Sequence, residues 1–321
     1  MFKLGNLLLS APIILSPLAG ISSYPYRIIN RKMGFEFACT EMISARALSY
    51  SGRKTMEMLG TAPDDRPLGV QLLGKDPYYL LKSLDKLKDY PFDILNFNAA
   101  CPRKKITNNG KGAYLLKEPK KLNSLLKIIV KNTSKPLILK MRLGWDSSKQ
   151  AVEIALGAQD AGVSAICVHG RTRMQGYREG IDYPAIANLK KKLKITIIGS
   201  GDILTPQLAK KMFDQTGVDA ITVARGALGN PWIFKEISEF LKNGKIAAKP
   251  RAKEIKNIIV EHFDLCLKFY GERNGIKNFR KLCIWYTRGF TQAKDLRNKI
   301  TKVKEKAEML SLIKDCLILP S

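Results

Sequence analysis

The stretch ILNFNAACP, residues 94–102, joins an apolar run to a polar loop that carries one thiol, Cys101. Because Pro102 stops any helix at this point, the stretch predicts a buried strand that ends in a loop. Asn98 supplies a carboxamide near the thiol. Three basic residues follow the proline: Arg103, Lys104 and Lys105. A buried structural thiol would explain the cysteine but not these neighbours, which suggest chemistry on an anionic polymer.

Short apolar runs that lead into Gly, Pro or polar residues occur eight times along residues 1–230. They are 13–16, 37–40, 68–72, 94–97, 137–141, 165–168, 195–198 and 220–223. Helix-like periodic segments separate most of them, such as 77–87, 119–130, 148–161 and 206–213. This alternation predicts an α/β fold, a (β/α)8 TIM barrel, whose functional groups lie at the C-terminal ends of the strands. The polar residues expected there are Glu41, Gln71, Asn98, Cys101, Lys140, Arg142, His169, Asp202 and Arg225.

The alternation of strands and helices stops after the last predicted strand. A connector with Gly and Pro occupies 241–251, and beyond it the periodicity is helical only. The sequence therefore predicts a catalytic barrel at 1–243 and a small all-helical bundle at 244–321. Residues 241–321 hold 19 Lys and Arg against 8 Asp and Glu, a net charge of +11. His262, on an apolar stripe of this part, is expected to be a core residue.

The formal charge of the whole chain is +27, from 55 Lys and Arg against 28 Asp and Glu. Such an excess favours polyanions, either nucleic acid or an anionic membrane surface, although a genome rich in lysine would also explain it. No apolar run reaches the ~20 residues that span a bilayer, and the apolar stretch 7–18 runs into a strand exit rather than a signal-peptide cleavage site. The six cysteines form no Cys-x-x-Cys pair, which argues against zinc and disulfides and fits a cytoplasmic protein.

Two glycine-containing segments follow the last two predicted strands. They are GSGD at 199–202 and ARGALG at 224–229. Barrels frequently bind phosphate with the loops in these two places, where glycines let backbone N–H groups approach the anion and Arg225 can add a charged fork. Gln71 and Lys140 lie on the same rim. An amide and a cation there suit the pyrimidine edge and the reducible nitrogens of a flavin.

With these residues in place, the chain resembles the tRNA-dihydrouridine synthases of the bacterial type over essentially its whole length. The motifs that carry the resemblance are SPLAG at 16–20, TEM at 40–42, VQLLG at 70–74, NAACP at 98–102, KMR at 140–142, VHGRTR at 168–173, GSGD at 199–202 and RGALGNPW at 225–232. YGE at 270–272 and RK at 280–281 resemble the start of the family's helical tRNA-binding domain.

The resemblance implies FMN as cofactor, NADPH or NADH as electron donor, and tRNA as substrate. We also expect a monomeric enzyme that holds no metal. The residues implied for FMN are Pro17, Leu18, Ala19, Gln71, Lys140 and His169. Those implied for its phosphate are Ser200, Gly201, Asp202, Ala224 and Arg225. Those implied for the uracil are Asn98, Arg171 and Tyr177. From their charge, Arg103, Lys104 and Lys105 are expected to meet phosphates of the tRNA, and Arg142 is expected among the substrate contacts. The chain departs from the family's usual residues at Ala100, Ser200 and Ala224, where Gly, Asn and Gly are common.

The chemistry of the reaction explains a lone cysteine. Carbon 6 of uracil accepts hydride because the 5,6 double bond is conjugated to a carbonyl, and carbon 5 then needs a proton. A thiol, whose ordinary pKa is about 8.5, is protonated at neutral pH and donates readily, so Cys101 suits a proton donor; a nucleophile is the rival role. A uridine in folded tRNA must also be extruded from its stack to reach a barrel mouth.

Two other functions remain open from the sequence. A flavin barrel that acts on a free pyrimidine would explain Asn98 and Cys101 but not the basic bundle. A non-enzymatic RNA-binding protein on an inactive barrel would explain the charge but not the residues at the rim.

Overall fold

The computed structural model describes residues 1–287 and 293–315, and it begins with two short antiparallel strands, β1 (Phe2–Leu4) and β2 (Leu7–Leu9). Eight parallel strands then form a closed barrel. They are β3 (Ile13–Leu15), β4 (Phe37–Ser44), β5 (Leu68–Leu73), β6 (Ile94–Ala99), β7 (Leu137–Arg142), β8 (Ala165–His169), β9 (Thr196–Ser200) and β10 (Ala220–Val223). Pairing of β10 with β3 closes the sheet. The predicted (β/α)8 barrel is confirmed.

Seven barrel strands match their predicted bounds within two residues, and β4 does not. It continues to Ser44, past a shift of register between Cys39 and Met42 in its pairing with β5. Glu41 therefore lies inside this irregular strand, and the expectation that it follows the strand is wrong. Its carboxylate accepts the backbone N–H of Gly20, so it braces the loop after β3.

The β1–β2 pair covers the N-terminal end of the barrel. Phe2, Leu4 and Leu9 are buried in one apolar cluster with residues near the start of several barrel strands: Ile14, Ile94, Ile138, Ala165 and Ala220. Burial of this apolar surface holds the pair against the barrel. The apolar N-terminal stretch is therefore part of the fold.

Helices surround the barrel. They are α1 (Tyr24–Arg31), α2 (Ala45–Ser49), α3 (Arg53–Leu59), α4 (Pro77–Leu87), α5 (Lys104–Thr107), α6 (Pro119–Lys131), α7 (Ala151–Asp160), α8 (Tyr183–Lys192), α9 (Pro206–Thr216) and α10 (Ile233–Asn243). Short 3-10 turns occupy Gly112–Lys117 and Arg225–Ala227. Several helices begin with proline, which suits the first turn, and α4, α8 and α9 are capped by the side chains of Asp76, Asp182 and Thr205.

Four helices follow a connector: α11 (Ala252–Tyr270), α12 (Glu272–Tyr286), α13 (Ala293–Lys302) and α14 (Lys306–Asp315). The helical content predicted for this part is confirmed, while 288–292 and 316–321, with Cys316, lie outside the described residues. His262 is fully buried and its Nδ1 lies 3.0 Å from the hydroxyl of Tyr286, as expected of a core histidine. Across the described ranges, no helix has the length and hydropathy that crossing a membrane requires.

The helical part packs directly on the barrel. The ring of Phe269 on α11 lies 5.3 Å from that of Tyr24 on α1. A second contact joins α12 to the loop after β10. In that loop Gly229 has a φ of +70°, and a Cβ on Gly229 would lie 2.2 Å from the carbonyl oxygen of Trp285 on α12. Only glycine allows the loop after β10 to approach the α12 backbone this closely. The nearby Lys281 of α12 reaches the loop of Gly20, so α12 borders the C-terminal end of the barrel.

Candidate active site at the C-terminal end of the barrel

The loop after β6 is shaped by the side chain of Asn98. Its Oδ1 accepts the backbone N–H of Ala100 at 3.0 Å and that of Cys101 at 2.9 Å, which is the local bond pattern that asparagine favours in turns. The carbonyl of Cys101 in turn accepts the N–H of Ala113 at 3.1 Å. The Cys101 side chain is partly exposed at this rim, and the bonds fix the backbone on both of its sides.

A chain of amides connects this loop to the neighbouring strand. Asn98 Nδ2 donates to Gln71 Oε1 at 2.9 Å, and Gln71 Nε2 donates to Asn96 Oδ1 at 2.9 Å. All three side chains are buried. These bonds determine which way the amide of Asn98 faces, because Oδ1 accepts from the backbone and Nδ2 donates to Gln71. Asn96, which lies inside β6 and was not among the predicted site residues, completes the network.

Arg142 stabilises the same loop from the opposite side. Its guanidinium, only 2% exposed, donates from Nε to the carbonyl of Ala100 and from Nη1 to those of Thr172 and Gly176, each at 2.9 Å. Burial lowers the pKa of Arg142. The sequence suggested a contact with uracil or tRNA, whereas these three bonds make Arg142 a brace between the loops after β6 and β8.

Lys140 faces the loop after β3. Its Nζ donates to Ser16 Oγ at 2.6 Å, across the barrel from β7. The next residues of this loop are Pro17, Leu18 and Ala19, and the backbone N–H of Leu18 donates to Ser22 Oγ at 2.8 Å. The structure thus brings Lys140 and this loop together, as the sequence predicted for residues at one rim. Ser16 begins the SPLAG motif at 16–20, but sequence reasoning assigned it no role of its own.

His169, the last residue of β8, is buried and has an unpartnered nitrogen. Burial, followed by the positive charges of Arg142 and Lys140, holds the pKa of His169 well below its ordinary value, so the imidazole is neutral at pH 7. Within the described residues, its Nε2 makes no hydrogen bond. A buried polar atom without a protein partner is unusual, and it marks a place where a ligand atom can bind.

The two loops at the predicted phosphate site are joined by Asp202. Its carboxylate pairs with both Arg171 and Arg225, and these bonds hold the pKa of Asp202 below its ordinary value. The Asp202 carboxylate therefore orients the two guanidinium groups. Of this residue, only the backbone is suited to face an anion. Arg171 Nη1 is buried and makes no hydrogen bond to any described residue, which leaves one donor available. A Cβ at Gly226 would lie 2.3 Å from the carbonyl oxygen of Ile203, so the two loops touch.

Tyr177 lies in the loop after β8 and is 55% exposed. The guanidinium carbons of Arg142 and Arg225 lie 5.2 and 4.9 Å from the centre of its ring, and the His169 ring lies 5.9 Å away, edge to face. Such cation–π contacts hold the aromatic ring between two positive groups. The structure therefore brings Tyr177 next to the residues predicted for the cofactor phosphate.

The three departures from the family's usual residues fit the backbone. Among described residues other than glycine, only Ser51 and Asp202 have positive φ, so neither Ala100 nor Ala224 occupies a conformation that needs glycine. Ser200 is buried at the end of β9.

The basic residues Arg103, Lys104 and Lys105 are exposed at the start of α5, as a role at a polyanion requires. In the part of the chain that the structure covers, no three His, Cys, Asp or Glu side chains group as metal ligands.

These observations fit a flavin. His169 Nε2 and Arg171 Nη1 are two buried polar atoms that bond to no residue in the described ranges. Lys140 supplies a cation, and Arg225 is half-exposed beside glycine loops. The residues that sequence reasoning missed, Ser16 and Asn96, act through other side chains. A strand's side-chain alternation was the only signal that could have indicated Asn96, because it places Asn96 and Asn98 on one face.

One protein family matches nearly the whole chain. The profile of the family described as dihydrouridine synthase (Dus) matches residues 14–319. The chain is 31% identical over 314 residues to tRNA-dihydrouridine synthase B of Xanthomonas axonopodis pv. citri, covering 98% of this chain and 95% of the relative. It is 33% identical over 304 residues to tRNA-dihydrouridine synthase B of Pseudomonas aeruginosa, covering 94% and 92%.

Solved structures show the same fold at low identity. A 2-naphthoyl-CoA reductase has a TM-score of 0.59 and 14% identity, and the match covers 74% of this chain and 51% of that one. An old yellow enzyme homologue from Zymomonas mobilis has a TM-score of 0.55 and 11% identity, covering 77% and 93%.

Proposed function

The chain belongs to the dihydrouridine synthase family, and from that premise we propose that it reduces the 5,6 double bond of specific uridines in tRNA. The observation that carries the proposal is Cys101, fixed by Asn98 on the same rim as Lys140 and the unpartnered His169. The arrangement combines an acid with positions for a cofactor, and it lies where barrel enzymes hold their active sites.

FMN, reduced by NADPH or NADH, supplies when bound the hydride that carbon 6 of the uracil accepts. The residues proposed to hold its ring system are Pro17, Leu18, Ala19, Gln71, Lys140 and His169. Those proposed for its phosphate are Ser200, Gly201, Ala224 and Arg225, together with the backbone of Asp202. The Asp202 carboxylate is assigned to orientation of Arg171 and Arg225, because an ionised carboxylate would repel a phosphate.

Cys101 is the proposed proton donor. Once carbon 6 has gained hydride, negative charge develops at carbon 5 and the adjacent carbonyl, and the thiol donates its proton to carbon 5. The thiolate that remains is reprotonated from solvent through the open rim. A general acid that is positioned next to the reacting atom typically contributes roughly 10²–10⁴-fold to the rate.

The uracil would be read by the side chains around this loop. Since Asn98 Oδ1 already accepts two backbone N–H groups, its remaining Nδ2 hydrogen is the part available to a uracil carbonyl. Arg171 and Tyr177 are proposed to lie near the extruded base. Arg142 is assigned to holding the loops rather than to direct contact with the base.

The basic surface is proposed to bind the rest of the tRNA. Arg103, Lys104 and Lys105 stand exposed beside the Cys101 loop, and the helical part, 244–321, borders the barrel rim through α12. We take 1–243 as the catalytic barrel and 244–321 as the tRNA-binding domain of a monomeric enzyme. Each phosphate contact should contribute ~0.7–0.9 to the slope of log affinity against log salt.

The test is to incubate the purified, FMN-loaded protein with unmodified tRNA and NADPH and to measure dihydrouridine by mass spectrometry. We expect dihydrouridine in tRNA and none without NADPH. Turnover of a free pyrimidine with no reduction of tRNA would replace the proposal by the small-molecule rival. A colourless protein that binds RNA without cofactor would favour the non-enzymatic one.

A further inference from the structure

A cleft of about 360 Å³ lies beside the proposed active site, and none of its residues has a role in the assignment above. Four consecutive loops at the C-terminal ends of the strands contribute to it. Lys75 follows β5, the turn 107–110 follows β6, Trp145 follows β7 and Arg173 follows β8. The cleft is therefore on the face of the barrel that meets the substrate.

Two aromatic rings form the cleft wall. Trp145 and Tyr114 pack edge to face with their centres 5.8 Å apart, and both rings are partly exposed. The guanidinium carbon of Arg173 lies 4.5 Å from the centre of the Trp145 ring. The Nζ atom of Lys117 lies 5.1 Å from the same ring centre. A nucleobase of any sequence can stack on the exposed part of this indole or on the guanidinium plane.

The charge of the cleft is positive. Lys75, Lys121 and Arg173 line it together with one acid, Glu118, which pairs with Lys121 at 3.1 Å. Arg173 makes no ion pair with any described residue, and its Nε is buried with no hydrogen-bond partner there. A stacked and incompletely paired guanidinium is available to a polyanion.

The cleft and the Cys101 loop form one connected structure. The turn 107–110 begins at the end of α5, the helix that starts with the exposed basic residues, and Arg173 Nη2 contacts Thr107 Oγ1 at 3.4 Å. Gly112, which follows the turn, has a φ of +61°, and a Cβ there would lie 2.8 Å from the carbonyl oxygen of Cys101. A nucleotide bound in the cleft would therefore rest against the loop that presents the thiol.

We propose that this cleft binds a nucleotide of the tRNA strand that flanks the extruded uridine, with its base stacked on Trp145 and its phosphate near Lys75 and Lys121. The inference rests on the proposed function. Extrusion of one base leaves its neighbours unstacked, and an aromatic surface beside the pocket replaces the stacking they lose. The exposed amides of Asn108 and Asn109 at the edge of the cleft can bond to the edge of that base.

The experiment measures tRNA binding and NADPH use separately. Trp145→Ala should weaken the binding of unmodified tRNA about tenfold, within the range that alanine substitution of a stacking residue produces. Trp145→Phe, which keeps an aromatic ring, should restore most of the affinity. The KM for NADPH and the slow oxidation of NADPH by oxygen without tRNA should stay at their wild-type values in both variants.

A matched pair of lysines on α6 tests the charge. Lys121 lines the cleft and Lys127 lies on the same helix outside it, and both are exposed. Lys121→Gln should weaken tRNA binding and lower its salt dependence, while Lys127→Gln should do neither. If Trp145→Ala fails to fold, this pair decides the question.

Two outcomes would overturn the inference. One is that Trp145→Ala and Lys121→Gln bind tRNA as the wild type does. The other is a raised KM for NADPH with tRNA binding unchanged, which would make the cleft a dinucleotide site. Because tRNA binding is measured directly, a wild type that forms no dihydrouridine would instead contradict the proposed function.

Discussion

The Oδ1 atom of Asn98 accepts the backbone N–H of Cys101 at 2.9 Å, so the amide predicted to touch the substrate also fixes the residue predicted to protonate it. The same atom accepts from Ala100, and Arg142 donates to the Ala100 carbonyl from the other side. The position of the thiol therefore depends on two side chains, one from its own strand and one from the next strand of the barrel.

Asn98→Ala should lower tRNA turnover about 100-fold, since a small misplacement of a catalytic group has an effect of that size. Asn98→Ser, whose hydroxyl can make the same local bonds more weakly, should recover part of the loss. Dihydrouridine formation measures the effect, with NADPH oxidation in the absence of tRNA as the control. Equal losses in the two variants would mean that the amide acts on the uracil rather than on the loop.

Cys101→Ala should retain the flavin and lose at least about 100-fold of turnover, because it removes the proton donor for carbon 5. Cys101→Ser, a weaker acid, should stay close to the alanine variant. Single-turnover formation of dihydrouridine at fixed flavin loading gives the rates. Turnover at the wild-type rate in Cys101→Ala would contradict the assignment of the acid.

Asp202→Asn should weaken flavin binding by about tenfold, since Arg171 and Arg225 lose the carboxylate that orients them. Flavin fluorescence during titration of the apoprotein measures the affinity. Asp214→Asn is the matched control, because Asp214 is an ion-paired carboxylate on the outer helix α9. Tighter flavin binding in Asp202→Asn would show that the carboxylate repels the phosphate.

His262 should make stability depend on pH in the acid range. Burial lowers its pKa to about 3, while an unfolded histidine titrates near about 6.5. Between these values the unfolded chain binds a proton that the folded chain excludes, so the histidine lowers the free energy of unfolding by about 1.4 kcal/mol for each unit of falling pH.

Urea denaturation of the wild type and His262→Gln between pH 7.5 and 4.5 measures this contribution. The plot of unfolding free energy against pH should be flatter for the variant below about pH 6.5, by the slope of one proton. Identical slopes for the two proteins would mean that groups other than His262 cause the pH dependence of the unfolding free energy. The variant also loses stability at every pH because it lacks the contact between His262 and Tyr286. Comparing slopes removes this constant difference in unfolding free energy.

Neutralising the exposed face of α12 should weaken tRNA binding without affecting the barrel. Arg273 and Lys277 are exposed and one turn apart, on the helix that borders the rim. The double variant with Gln at both positions should lower the slope of log affinity against log salt by ~0.7–0.9 for each lost phosphate contact. The matched control is the double variant with Gln at Lys127 and Lys131 on α6. An equal change of slope in that control would mean that tRNA binding responds to the net charge of the protein and not to these two positions of α12.

Removing α11 to α14 altogether would be a poorer test of the same role. Phe263 and Phe279 belong to the same buried core as Phe35 and Phe234 of the barrel layer, so deletion of residues 252–321 would expose apolar surface of the barrel. We expect that truncation to impair flavin binding and NADPH oxidation together with tRNA binding. Surface substitutions separate the two roles.

The sequence was sufficient to predict the barrel and the rim, because both follow from local patterns. Most of the apolar runs lead into a polar residue of the rim, and parallel strands bring such ends to one edge. It could not indicate that Arg142 bonds to the carbonyl of Ala100, 42 positions away, because charge alone suggested a substrate contact. Nor could it identify the cleft at Trp145, which needs four loops whose spacing carries no common motif.

The β1–β2 pair has a consequence for the order of events. It packs Phe2, Leu4 and Leu9 against the N-terminal end of the barrel, so the C-terminal end is the face at which the described structure can receive ligands. On the proposed function, the reductant and the extruded uridine would both reach the cofactor from that end. We therefore expect the two to bind in turn, and a high concentration of either to inhibit binding of the other.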